Sequence, residues 1–302
     1  MKQKIGKSSI TVPHLTLGCM SLGTDRKKTI KMLSKALDQG IIHFDTADLY
    51  DFGQNETLIG HFLKYHRDQI VLSTKVGNHF NVETKDWFWD PSKQYIETAI
   101  KDSLQRLQTD YIDLYLLHGG TIDDPIDETI EAFEQLKMAG TIRAYGISSI
   151  RPNVIKAFMN KANIDAVMMQ YNMLDRRPEE LLDDLHKHQI SILARGPLAK
   201  GILSQKALEY IHEKAADGYL EYNAKELNTT VTNLLALGIP LEQLAFQYIL
   251  HHPAVVSAVF GASNLAQLIE NSQYLHMDML SDDVYKEVQQ ITKLFYYTKH
   301  RK

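Results

Sequence analysis

Four ionisable side chains, Asp45, Tyr50, Lys75 and His118, sit at or just beyond the ends of short apolar runs of strand length. Asp45 closes IIHFD, Tyr50 follows it in DTADLY, Lys75 ends IVLSTK and His118 ends DYIDLYLLH. Buried strands seldom finish in charged groups unless those groups meet a partner or do chemistry. An acid, a phenol, an amine and an imidazole at successive strand ends suit proton transfer to or from an oxygen. A phenol with its ordinary pKa of about 10 is a poor proton donor near neutrality. A neighbouring ammonium stabilises the phenolate, and a carboxylate can hold that ammonium in place. Tyr50, Lys75 and Asp45 would then work as a unit, with His118 orienting a carbonyl oxygen or helping to pass the proton. Taken singly, each residue reads more simply as packing or as a structural pair. Taken together, the chemical reading is the better one.

The elements that would bring them together alternate regularly. Runs of strand length are followed by segments of helical period: HLTLGCM then TIKMLSKALDQG, IIHFDT then ETLIGHFLKYH, IVLSTKV then PSKQYIETAIKDSLQRLQ, YIDLYLLH then IDETIEAFEQLKMAG. AYGIS, AVMMQY, SILAR and VVSAVFG continue the series, each with a helical partner. Eight such units favour an α/β fold of the (β/α)8 TIM-barrel type over an open doubly wound sheet. Gly6 to Ser9 would turn a short N-terminal β-hairpin ahead of it. In a barrel the strand-to-helix loops share one face, so units two, three and four would place the four residues side by side. The first such turn, GCMSLG, lacks the G-x-G-x-x-G dinucleotide fingerprint, and no G-x-x-x-x-G-K-[ST], H-E-x-x-H or G-x-S-x-G occurs. No Pro- or Ser-rich linker divides the chain, so residues 1–302 are expected to form a single domain.

Composition narrows the partners. The net charge of −4 is spread along the sequence without a basic run, which argues against nucleic acid and anionic membranes. The opening MKQKIGKSSITV has no apolar signal core, and no apolar stretch is long enough to span a bilayer. The single cysteine, Cys19, excludes an internal disulfide and thiolate-rich metal sites, which fits a reducing cytoplasm. The histidine pairs His186/His188 and His251/His252 meet no carboxylate set by sequence, so no metal is expected. The tail YYTKHRK reads as a solvated basic end. Nothing speaks to oligomeric state.

With these motifs in order, the sequence resembles an aldo-keto reductase over nearly its whole length. DTADLY, the following G-x-x-E in GQNE, STKVG, SLQRLQTDYIDLYLLH, GISS, PLAKGIL and GASNLAQLIEN carry the resemblance. It implies a barrel that binds a nicotinamide dinucleotide without a Rossmann fold and transfers hydride to an aldehyde or ketone without metal. By position, Tyr50 is then the proton donor, Lys75 and Asp45 tune it, and His118 orients the carbonyl.

The resemblance also implies where the dinucleotide lies. Gly18, Cys19 and Met20 fall beside it, Cys19 as a backbone contact rather than a nucleophile. Ser148 matches the serine that holds the nicotinamide carboxamide. The asparagine usual after that serine is Ser149 here, and the usual glutamine is Met168. Gln170, on the same strand face as Met168, is the candidate replacement. Arg195 stands where an aromatic ring often stacks on the nicotinamide; a planar guanidinium can stack too, the alternative being a pair with an acidic loop residue. Gly196, Pro197, Leu198 and Lys200 match the pyrophosphate loop, and Gly261, Ser263, Gln267, Glu270 and Asn271 the adenosine segment. Ser263, Asn264 and Gln267 include no cation for a 2′-phosphate, so NADP(H) is favoured on family grounds with NAD(H) open.

The substrate is expected to be a small carbonyl compound. Phe80, Trp87, Phe88 and Trp89 in the unit-three loop could wall an apolar pocket or pack the loop down, and Gly119 and Gly120 imply a roomier or more mobile wall after His118. The polar stretch Ser204 to Pro240 reads as surface that can close over the cofactor. Two rival functions follow from the same residues: a cofactor-binding regulatory subunit with little turnover, and a barrel lyase or isomerase using Lys75 as a Schiff-base nucleophile.

Overall fold

The structure is a computed structural model and describes residues 2–301. Its centre is a closed barrel of eight parallel strands: β3 (Leu15–Gly18), β4 (His43–Asp45), β5 (Val71–Val76), β8 (Ile112–Leu117), β9 (Ile142–Ser148), β10 (Ala166–Gln170), β11 (Ser191–Arg195) and β12 (Val255–Gly261). They follow one another around the barrel in chain order, and β12 pairs with β3 to close it. Closure rules out the open sheet. All eight strands coincide with the runs read from the sequence.

Each strand hands on to an outer helix: α1 (Arg26–Asp38), α2 (Gln54–Leu63), α3 (Lys93–Leu107), α4 (Ile126–Met138), α5 (Pro152–Lys161), α6 (Glu179–Lys187), then α7 (Ala207–Lys214), α8 (Ala224–Leu235), α9 (Leu241–Leu250) and α10 (Leu265–Ser272), with α11 (Asp282–Ile291) last. Local chemistry starts them. Asp25, Ser92, Asn264 and Ser281 accept a backbone N–H at the first turn of α1, α3, α10 and α11. Strand alternation divides the core: Tyr115 and Leu117 pack outward under the helices, while Leu114 and Leu116 fill the lumen.

An antiparallel hairpin, β1 (Lys2–Lys4) with β2 (Thr11–Pro13), caps the strand-start end. Ile5, Ile10 and Val12 enter the lumen cluster, and Gly6 donates to Ser191 Oγ at 2.8 Å. Gly6 is left-handed, and a Cβ there would come within 2.3 Å of the Asp165 carbonyl oxygen. A second hairpin, β6 (Asn78–Phe80) with β7 (Trp87–Trp89), rises from the loop after β5.

Two segments hold more structure than the sequence reading expects. The stretch from Ser204 to Pro240 holds α7 and α8, and Leu227, Val231 and Leu234 bury one face of α8 behind an Asn223/Glu226 capping box. The tail is exposed at Tyr296 and from Thr298 to Arg301, as expected, yet it is anchored: Tyr297 is buried, the His300 carbonyl accepts from Asn153 N at 2.9 Å, and Arg301 pairs with Glu180 at 2.8 Å. Among the described residues no helix is long and apolar enough to cross a membrane.

Candidate active site

The strand-end face of the barrel carries a cleft of about 1190 Å³, and Asp45, Tyr50, Lys75 and His118 all line it. Lys75 is fully buried at the end of β5, and its ammonium has three N–H donors. All three are used: Asp45 Oδ2 at 2.8 Å, the Thr46 carbonyl at 2.6 Å and the Tyr50 hydroxyl at 3.2 Å. Burial pulls the Lys75 pKa down, but the Asp45 charge, Tyr50 and their hydrogen bonds outweigh it, so the net direction is up. A lysine held as ammonium with every donor engaged cannot act as a free amine nucleophile. The Schiff-base reading therefore fails on geometry.

Tyr50 owes its direction to a tight turn. Asp51 and Phe52 adopt left-handed backbone (φ 49° and 52°), and Gly53 follows at φ 86°, a conformation costly for the first two. Glu56 pins the start of α2, accepting from Thr74 Oγ1 at 2.6 Å beside Lys75 and pairing with Arg106 at 2.7 Å. This is the structural content of the G-x-x-E motif. His118 lies edge-on to Tyr50, ring centroids 5.9 Å apart. Burial first, then the charges of Lys75 and Arg195, lower its pKa to about 3, so the ring is neutral at ordinary pH. Its Nδ1 is sealed without a partner among the described residues.

A second cleft of about 640 Å³ shares Ser21, Gly196, Lys200, Val259, Phe260 and Gly261 with the first, so the two form one groove. Gly18, Met20, Ser148, Gln170 and Arg195 line the tetrad end, and Pro197, Leu198, Ser263, Gln267, Glu270 and Asn271 the far end. Cys19 is the exception. Its thiol is buried in the helix-facing core, its pKa pushed up chiefly by burial, and its carbonyl already accepts from Asn55 Nδ2 at 3.0 Å. Ser21, two residues on, takes the groove position.

The positions where the sequence departs from the family pattern resolve individually. Met168 is buried in the lumen cluster below Gln170. Gln170 Nε2 donates to Asp175 Oδ2 at 3.2 Å and to Tyr219 OH at 3.3 Å. With both N–H groups directed there, its carbonyl oxygen is the group left for a ligand. Ser149 Oγ accepts from Arg151 N at 3.2 Å. Arg195 has no carboxylate within 4.0 Å among the described residues, and neither do Lys200 and Lys206. The acidic-partner reading of Arg195 is thereby removed. Lys206, from the segment taken as polar surface, lines the far cleft with Ser263 and Gln267. It is a cation at this end of the groove that the sequence reading did not place there.

The wall beside His118 is filled rather than roomy. A Cβ on Gly119 would meet the Trp89 ring at 3.3 Å, and one on Gly77 at 2.6 Å. Trp89 Nε1 donates to Asp124, which anchors the β6–β7 hairpin over the two glycines. Trp87 then stands on the cleft rim, 56% exposed. The tail contributes Phe295 to His300 to the same cleft.

The model of the aldo/keto reductase family matches residues 14–293. An uncharacterized oxidoreductase, YqkF of Bacillus subtilis (strain 168), is 49% identical over 99% of each chain. Among solved structures, the holo form of aldo-keto reductase AKR11C1 from Bacillus halodurans superposes with a TM-score of 0.95 at 48% identity, covering 100% of this chain and 99% of that one. An aldo/keto reductase from Klebsiella pneumoniae, solved with NADP and acetate, superposes with a TM-score of 0.74 at 26% identity over 96% and 95%.

Proposed function

The chain belongs to the aldo/keto reductase family, and from that premise we propose that it reduces an aldehyde or ketone to the alcohol with NADPH, Tyr50 giving the proton. Membership makes it a nicotinamide-dependent oxidoreductase acting on small carbonyl compounds. One observation carries the finer reading: a buried Lys75 ammonium held simultaneously by Asp45 and the Tyr50 hydroxyl at a cleft mouth.

The groove suits the cofactor. Arg195, Lys200 and Lys206 offer uncompensated positive charge along it, and the Gln170 carbonyl oxygen is free to accept from a carboxamide N–H. When bound, the dihydronicotinamide supplies the hydride. Arg195 would stack on its ring, Ser148 and Gln170 would hold its carboxamide, and the 196–200 loop with Lys200 would take the pyrophosphate. Lys206 beside Ser263 and Gln267 supplies the 2′-phosphate charge that favours NADP(H) over NAD(H). Neutral His118, its Nδ1 sealed, would present Nε2–H to the substrate carbonyl oxygen. Tyr50 delivers its proton to that oxygen, and Lys75 stabilises the phenolate left behind.

The test is NADPH oxidation across aliphatic, aromatic and dicarbonyl aldehydes, with dissociation constants for NADPH and NADH. Turnover with tighter NADPH binding is expected. Cofactor binding without turnover of any carbonyl would overturn the catalytic reading.

A further inference from the structure

The lumen beneath the tetrad is divided. On the β8–β11 side Leu114, Leu116, Ala144, Ala166, Met168 and Leu193 make an apolar half. On the β12–β3–β4–β5 side stand Ser257, Thr16, His43 and Ser73, fully or almost fully buried. Buried polar groups are costly unless hydrogen-bonded, and these four form one chain. Ser257 Oγ lies 2.7 Å from Thr16 Oγ1, Thr16 Oγ1 2.7 Å from His43 Nδ1, His43 Nε2 3.1 Å from Ser73 Oγ, and Ser73 Oγ 2.8 Å from Asp45 Oδ1. Asp45 reaches Lys75 through its other oxygen, and Lys75 reaches Tyr50.

The direction of the chain follows from its end. A carboxylate only accepts, so Ser73 donates its hydroxyl proton to Asp45. The Ser73 oxygen then accepts, which requires Nε2–H on His43. A neutral imidazole has one N–H, so Nδ1 accepts from the Thr16 hydroxyl, and Thr16 accepts from Ser257. This single assignment satisfies every bond. Burial, then the Lys75 charge, hold the His43 pKa near 3, in keeping with the neutral ring it needs.

We infer that His43 is a positioning residue of the reaction: the Ser257–Thr16–His43–Ser73 relay fixes the Asp45 carboxylate and draws its charge toward Oδ1, away from Lys75. Hydrogen bonds in such a chain polarise one another. An ammonium less fully neutralised by Asp45 keeps more of its field for the Tyr50 oxygen. The titratable groups around this pair are His43 on β4, His118 after β8, Cys19 after β3, Asp48 before the Tyr50 turn, and Arg195 at the end of β11. His43 and His118 are neutral, and burial holds Asp48 and Cys19 toward their protonated forms. Arg195 acts from across the cleft lining, whereas Asp45 is the charged group hydrogen-bonded to Lys75, so Asp45 and the relay feeding it tune Lys75 most directly. The inference rests on the reductase reading.

Breaking the relay should leave NADPH affinity unchanged while kcat for carbonyl reduction falls about fivefold, the size of one ordinary hydrogen bond. The alkaline limb of kcat/KM should move up by roughly half a pH unit. His43→Leu and Ser73→Ala are expected to do this non-additively. His43→Gln should restore most of the rate, because its amide can donate to Ser73 and accept from Thr16 in the same sense. Independently of turnover, nitrogen-15 NMR of labelled histidine should find His43 neutral, protonated on Nε2, down to about pH 4. A wild-type chain that reduced no carbonyl would overturn both readings. A working reductase would overturn the relay alone if His43→Leu kept the wild-type pH profile, even with lowered stability, or if His43 carried its proton on Nδ1.

Discussion

The proposed proton-donating centre and the proposed dinucleotide groove share one barrel face and are built by opposite rules. At the centre the key donors are committed before any ligand arrives: Lys75 spends three N–H groups on Asp45, Thr46 and Tyr50, and Asp45 takes Ser73 on its other oxygen. Along the groove the cations Arg195, Lys200 and Lys206 have no carboxylate partner among the described residues, and the Gln170 carbonyl is left open. A site that must place one proton is stiffened by internal bonds. A site that must take up and release a polyanion leaves its charges for the ligand. Substitutions at the centre should thus cost rate at constant affinity, and substitutions in the groove affinity at near-constant rate.

The largest effect is expected at Tyr50. Tyr50→Phe removes the hydroxyl that Lys75 contacts at 3.2 Å and leaves every groove residue in place. Carbonyl reduction should fall by about 10²- to 10⁴-fold, the usual worth of general acid catalysis, while NADPH titration stays near wild type. Near-normal turnover would erase the distinction between the two regions. Lys206→Gln probes the other side. Removing this far-cleft cation should weaken NADPH binding by about tenfold, NADH much less, with kcat little changed, if it meets the 2′-phosphate as proposed. Equal loss for both dinucleotides would place Lys206 away from the 2′-phosphate.

The same contrast governed what the sequence disclosed. The tetrad was legible because charged residues ending apolar runs are anomalous, and the eight strands because buried parallel strands are near-continuous apolar runs. The buried relay was not legible. His43 sits mid-strand in IIHFD, where a lone histidine reads as core, and only closure of β12 on β3 brings Ser257 to Thr16. The groove suffered from a different error. Polar composition between Ser204 and Pro240 hid the Leu227, Val231, Leu234 spacing of α8, and with it the placement of Lys206 and Tyr219. Gly119 showed where space was made but not that Trp89, about thirty residues earlier, fills it, nor that Val154 packs against Gly120.

Tyr219 offers the smallest and sharpest probe, because it belongs to the misread segment yet touches the groove only through other side chains. Its hydroxyl accepts from Gln170 Nε2 and Asn172 Nδ2, each at 3.3 Å, and Asn172 also donates to the Gly196 carbonyl at 3.0 Å. Tyr219→Phe frees one amide hydrogen of Gln170, so the amide can rotate and lose the orientation that presents its carbonyl oxygen to a carboxamide N–H. NADPH should bind about threefold more weakly, a loss of one weak neutral hydrogen bond. In a Gln170→Ala background the same change should cost almost nothing, since residues acting through a shared group are not additive. Full additivity would make Tyr219 a packing residue and confine the open, ligand-facing character of the groove to its cations.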